Sequence, residues 1–217
     1  MSEAVRRVVN RHPSLLDALI YRYGNLSAIA RIIYDEVVEE LEGFHPSHYA
    51  IKMALKRYTS KIRSMRVVNE PRILGILRRS QIELINDVVL LTYDKRLLDI
   101  VVGKIQSAIE GGRFIHLTQG RDSFTLVMDK MTFNKFSDVV DEESALSVLK
   151  NQSAVIIVSP KEIIDTPGVV HYITMLLYMN GINITQIISS YVDTIIIVDR
   201  EDSIKSYRVL EETVSSI

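Results

Sequence analysis

Two runs rich in β-branched residues, 154–159 and 184–190, enclose a segment with strong turn and helix signals. The segment opens Asp165-Thr166-Pro167-Gly168-Val169 and closes Gly181-Ile182-Asn183-Ile184. Thr166 suits an N-cap, and Pro167 suits the first helical position, where a missing N–H costs nothing. Val169, Val170, Ile173, Leu176 and Leu177 then form one apolar helix face. Gly181 offers the left-handed stop. A strand, a tight turn, a helix over 167–180 and a returning strand are therefore expected, with free backbone N–H groups at the helix start open to a ligand.

These residues resemble the ACT domain, the ligand-sensing module of aspartokinases and related enzymes. The likeness rests on Thr166-Pro167-Gly168-Val169, Asn180-Gly181-Ile182-Asn183-Ile184, Ser189-Ser190 and the strand Ile195-Ile196-Ile197-Val198-Asp199, over about residues 153–214. It implies a ferredoxin-like βαββαβ fold and a small-molecule effector, an amino acid. It also implies a ligand site built from Asp165, Thr166, Pro167, Gly168 and Val169, completed by Asn183, Ile184, Thr185, Ser189 and Ser190 of the same or a partner unit. Sheets of such units pair edge to edge, so a homodimer or higher homo-oligomer is expected.

The pattern occurs twice. A first copy reads as strand 82–92, helix 96–109, strand 114–118, strand 123–128, helix 133–139 and a fourth strand at 145–149. The second reads as strand 154–159, helix 167–180, strands 184–190 and 192–198, and helix 201–213. Where the second copy has Asp165-Thr166-Pro167-Gly168, the first has Tyr93-Asp94-Lys95-Arg96, so its turn is read as structural. Tandem ACT units at 81–150 and 151–217 follow, and the whole layout is similar to archaeal ACT-domain proteins of unassigned function.

Residues 1–66 read as all-helical, joined by a basic connector at 67–80. Caps at Ser14, at Asn25 or Ser27, and at Ser47 predict three helices. The first runs through Leu15–Tyr23 to Gly24, the second carries Ile29, Ile32, Ile33, Val37 and Leu41, and the third ends near Arg63. Three short helices fit a helix-turn-helix or winged-helix module, with a wing from 65–77. On the third helix Ile51, Ala54, Leu55, Tyr58 and Ile62 share one face, and His48, Lys52, Lys56, Thr59 and Arg63 share another. A buried stripe backed by a basic stripe is what DNA recognition requires. The alternative is a solvated basic face on a helical bundle.

The charge distribution agrees with a polyanion partner for the front of the chain. Residues 1–80 carry 14 Lys and Arg against 8 Asp and Glu, and residues 81–217 carry 12 against 19. With no cysteine among 217 residues, thiol chemistry and disulfides are excluded. The start lacks the apolar stretch of a secretory signal, and no apolar run reaches membrane-spanning length, so a cytoplasmic location is expected. No phosphate loop, nucleophile elbow or zincin pattern is present. His45 and His48 lie three apart but straddle a helix start, and solvated or capping roles are expected for them rather than a metal site. The expectation is a non-enzyme without metal or cofactor: an α+β chain that senses an amino acid and regulates transcription by binding DNA. The alternative is a regulatory subunit that binds an amino acid and docks a metabolic enzyme.

Overall fold

The computed structural model describes residues 1–65, 70–109, 114–136 and 142–215. Two units are distinct, Met1–Val68 and Asn69–Ile217. Among the described residues no helix is long and apolar enough to cross a membrane.

The first unit holds α1 (Ser2–Arg11), α2 (Pro13–Ile20), α3 (Leu26–Ile32), α4 (Tyr34–Glu40) and α5 (His48–Met65). Its core gathers Val5, Val8, Val9, Leu19, Ile29, Ile33, Val37, Ile51, Leu55 and Ile62. Three expected helices are thus five. Helix α1 precedes the three expected helices, and Val5, Val8 and Val9 give it the 3–4 spacing of a buried stripe. Helix α2 starts before Ser14 because Pro13 occupies its first turn. The expected second helix is interrupted at Ile33 (φ −90°, ψ 6°), although backbone bonds continue on both sides, Ile33 N to Ile29 O and Val37 N to Ile33 O, each 3.0 Å. Asn25 caps α3 through Ser27 N (2.9 Å) and Ala28 N (3.3 Å), and Ser47 Oγ accepts from Ala50 N at 3.2 Å.

In the second unit, α6 (Glu70–Leu77) precedes a six-stranded antiparallel sheet. The stretch expected to supply a wing, or a mere connector, is therefore helical over these eight residues; residues 66–69 lie outside the described ones. The strands are β1 (Gln81–Asp94), β2 (Ile115–Gln119), β3 (Ser123–Asp129), β4 (Ser147–Val158), β5 (Gln186–Ser190) and β6 (Asp193–Asp199). The helices are α7 (Leu98–Ile109), α8 (Lys130–Phe136), α9 (Val169–Met179) and α10 (Ser203–Ser215). Helix α8 begins earlier than expected because Asp129 caps it, and residues 137–139 of the expected helix lie outside the described residues.

The sheet order β2-β3-β1-β4-β6-β5 is a palindrome. Each copy contributes strand, 3₁₀ turn, helix, strand, strand, helix, and the first strands of the two copies, β1 and β4, pair at the centre. The expected strands at 145–149 and 154–159 are one continuous strand, so a boundary at 150/151 falls inside β4. Each long strand serves both halves of the sheet: β1 binds β4 along both its ends and β3 along its second half.

Both long strands are bulged. Asn86 and Asp87 stand opposite Ser153, and Lys150 and Asn151 stand opposite Val89. The second residue of each bulge is left-handed, Asp87 at φ 57° and Asn151 at φ 59°, a conformation that Asn and Asp tolerate better than other side chains. Each extra residue reverses the alternation of faces. Ile82 and Leu84 pack under α6, α9 and α10 with Val155, Ile157, Ile173 and Leu210. Past the bulge, Val89, Leu91 and Tyr93 pack under α7 and α8 with Phe124 and Met128. The other face buries Val88, Leu90, Phe114, Val127, Ile188, Ile195 and Ile197. The sheet bends far enough for its two edge strands to meet through side chains: Gln186 Nε2 on β5 donates to Thr118 Oγ1 on β2 at 3.0 Å.

Asn151 tests the bend. Asn151→Val forces a β-branched residue into the left-handed region and is expected to cost about 1–2 kcal/mol in urea unfolding, whereas Asn151→Gly stays within about 0.5 kcal/mol of the parent.

Candidate functional site

The chain leaves β4 at Val158, whose partner Asp193 also pairs with Ser190 of β5. It passes a 3₁₀ turn at Lys161–Ile163 and enters α9 at Val169. Thr166 is not the cap. It is 4% exposed, and its hydroxyl donates backwards to Glu162 O at 2.7 Å, closing the preceding turn. Gly168 takes the N-cap position instead, at φ 99°, and no side chain caps the helix. A left-handed residue at this point is what glycine supplies without strain. A Cβ there would also lie 3.1 Å from Ile73 Cδ1. Pro167 consequently sits two residues before the helix. Val169 is buried in the core; Asp165, Pro167 and Gly168 are exposed. The first N–H groups of α9 have no partner within the helix.

The other residues expected at this site separate. Ser189 and Ser190 are exposed at the end of β5 beside the β4 exit. Asn183, Ile184 and Thr185 precede the opposite end of β5, roughly 14 Å away at ~3.4 Å per residue. Asn183 is exposed, Ile184 packs on the core under α9, and Thr185 Oγ1 donates to the buried Gln152 Oε1 at 2.8 Å. Within one chain the turn can meet Ser189 and Ser190, but Asn183 and Thr185 face the other end of the sheet.

The turn of the first copy, read from sequence as structural, borders an open cleft of about 520 Å³. Asp94, Lys95, Arg96, Arg121 and Asp122 line it. Asp94 caps the 3₁₀ turn through Arg96 N (2.9 Å) and holds the Arg96 guanidinium with both oxygens (2.9 and 3.0 Å). These bonds favour the ionised carboxylate and lower its pKa from 3.8 to about 2. The signal in the sequence is Asp94 two residues before Arg96, with Arg121 in the β2–β3 hairpin that closes the cleft. Across the sheet, burial lowers the pKa of His116, and the Asp193 carboxylate opposes that shift.

On α5 the buried stripe is as expected: Ile51, Ala54, Leu55 and Ile62 are in the core, and Tyr58 donates to Asn10 Oδ1 at 2.6 Å. Lys56 and His48 are exposed and Lys52 is half-buried. The His48 ring lies 4.6 Å from that of Tyr34. Thr59 spends its proton on Leu55 O at 2.9 Å, leaving it only an acceptor for any partner. The Arg63 side chain lies outside the described residues.

Residues 147–212, from β4 into α10, match the family model of the ACT domain. The second copy is an ACT domain. No curated protein matches the chain. Among solved structures, the aspartate kinase of Clostridium acetobutylicum aligns at 21% identity and a TM-score of 0.47, over 62% of this chain but 34% of its own. The regulatory subunit of aspartate kinase from Thermus thermophilus aligns at 16% identity and 0.47, over 62% of this chain and 95% of its own. A Vibrio cholerae protein of unknown function aligns at 17% and 0.47, over 68% and 98%.

The Asp94–Arg96 pair has a definite pH signature. Its contribution to stability is present above the ordinary carboxylate value of 3.8 and is lost as pH falls through about 2. A carboxyl-carbon NMR titration should place the Asp94 midpoint near 2, and Arg96→Ala should raise it toward 3.8, with the backbone N–H at position 96 keeping part of the shift.

Proposed function

We propose that this chain is an amino-acid-responsive regulatory protein in which the ACT domain senses the effector and the helical unit carries the output. The observation that carries the reading is the family match over 147–212, joined to a helix start with no side-chain cap at which Asp165 and Gly168 are exposed. In its finer form, the output is DNA binding. Lys52, Lys56 and His48 of α5 would meet the duplex, with Lys56 on phosphates, and a homodimer would place two such helices about one turn of DNA apart, ~34 Å.

A second reading has its own support. Residues 70–77 of the stretch that would form a wing are helical, and the first unit exposes Tyr23, Ile32, Phe44 and Tyr49, each by more than 60%. Such apolar exposure favours a protein partner, so the helical unit would dock a metabolic enzyme while the ACT domain binds an amino acid.

Thermal shift against the twenty amino acids tests the sensor. A saturable rise for one of them, abolished by Asp165→Arg with the melting of the free protein unchanged, is expected; no rise for any of them leaves the domain without a sensing role. Fluorescence anisotropy with duplex DNA across a salt series separates the two outputs. DNA binding predicts a log–log salt slope of about −0.9 per phosphate contact. Lys52→Glu with Lys56→Glu should abolish that binding while effector binding is kept. Absence of DNA binding at low salt leaves the protein-docking reading.

A further inference from the structure

Behind the bulge of β1 lies a cavity of about 660 Å³, within the range of small-molecule pockets. It opens between β1 and the start of α8, on the first copy, and none of the residues lining it belongs to the turn at Asp165–Val169. Its walls combine two chemistries. Ile85, Phe114 and Met131 supply apolar surface, and Glu83, Asp87 and Asp129 bring three carboxylates beside Lys130, with Arg200 3.8 Å from Asp87.

The three carboxylates differ in how they are held. Asp129 is 8% exposed and fixed from three directions: Oδ2 accepts from Phe114 N (3.1 Å) and Thr132 Oγ1 (2.8 Å), and Oδ1 from Thr132 N (2.9 Å). A carboxylate offers about four acceptor positions, and the described residues take three of those on this rigid group. Asp87 is oriented by the left-handed bulge and approaches Arg200 only at 3.8 Å. Glu83 is an exposed residue of β1. Met131, 62% exposed, is an adaptable apolar side chain at the cavity wall.

An anion would face net negative charge here, and a neutral apolar molecule would leave the carboxylates to water. We propose that this cavity binds a linear alkylammonium cation, of the size of a short diamine or a basic amino acid. The ammonium lies among Glu83, Asp87 and Asp129, the alkyl chain lies on Phe114 and Met131, and Lys130 receives a carboxylate where the ligand has one. The site does not rest on the sensing role of the Asp165–Val169 turn.

Isothermal titration of the full chain with cadaverine, lysine and norleucine tests the assignment. These probes share one carbon chain and differ in the terminal ammonium and the carboxylate. Saturable binding of cadaverine, of lysine, or of both supports the proposal; lysine alone means that Lys130 takes part, and cadaverine alone means that it does not. Glu83→Gln and Met131→Lys, both at exposed positions, should each weaken binding at least tenfold with the melting temperature unchanged. Asp165→Arg should leave the binding as it is, which separates this site from the turn. The proposal is overturned if neither cation binds, if norleucine binds as tightly as lysine, if both cavity variants bind like the parent, or if Asp165→Arg abolishes the heat.

Discussion

Two strands from opposite copies of the repeat, β1 and β4, pair antiparallel, and the second unit is arranged around that pair. Each copy has only three strands of its own. The place beside its first strand, where a fourth strand would complete a ferredoxin-like sheet, is filled by the other copy's long strand. Neither copy could then bury its sheet alone, because half of β1 and half of β4 lie in each other's territory. The bulges make this sharing possible. A straight pair of strands twelve to fourteen residues long would keep one face toward one layer of helices. A bulge in each strand reverses the alternation, so the apolar residues of both halves reach helices despite opposite parity. It also bends the sheet until Phe114 and Ile188, from opposite ends of the strand order, share one core.

That reversal explains what the sequence did and did not disclose. The repeat, the order of its elements and the helix faces were legible because period-2 and period-3.6 patterns run unbroken within each half. The continuity of β4 was not. Lys150-Asn151-Gln152-Ser153 interrupts the apolar alternation and looks like a loop. In the structure Gln152 and Ser153 are buried, with Gln152 accepting from Thr185 and Ser153 donating to Asn86. A bulge with satisfied polar groups and a turn have the same composition, and only the pairing partner distinguishes them.

The turn before α9 was legible in part, for a related reason. Thr-Pro-Gly predicts a helix start, and one follows. Which residue caps it depends on where Thr166 sends its hydroxyl. Glu162 O is four residues back, and burial makes an intramolecular acceptor the better partner. The cap then passes to Gly168, and Asp165, Pro167 and Gly168 are the residues of this turn that stay exposed, with Ser189 and Ser190 exposed at the end of β5 beside it. Asn183 and Thr185 join that set through the family resemblance, which lets them come from the same unit or a partner unit. The strand between them and Ser190 has a fixed rise, and it carries them to the far end of the sheet.

The two copies have diverged at equivalent places while keeping one frame. In the ACT copy the turn after the long strand is Gly-containing and uncapped. In the first copy Asp94 caps that turn and clamps Arg96, which satisfies the amide that a ligand would otherwise use. The first copy's carboxylate-lined cavity instead lies beside the bulge of the shared β1. β1 carries that bulge on one side and pairs with β4, the strand that leads into the ACT turn, on the other. The shared strands therefore join two places that the repeat has made chemically different: the cavity beside the bulge of β1 and the turn that follows β4.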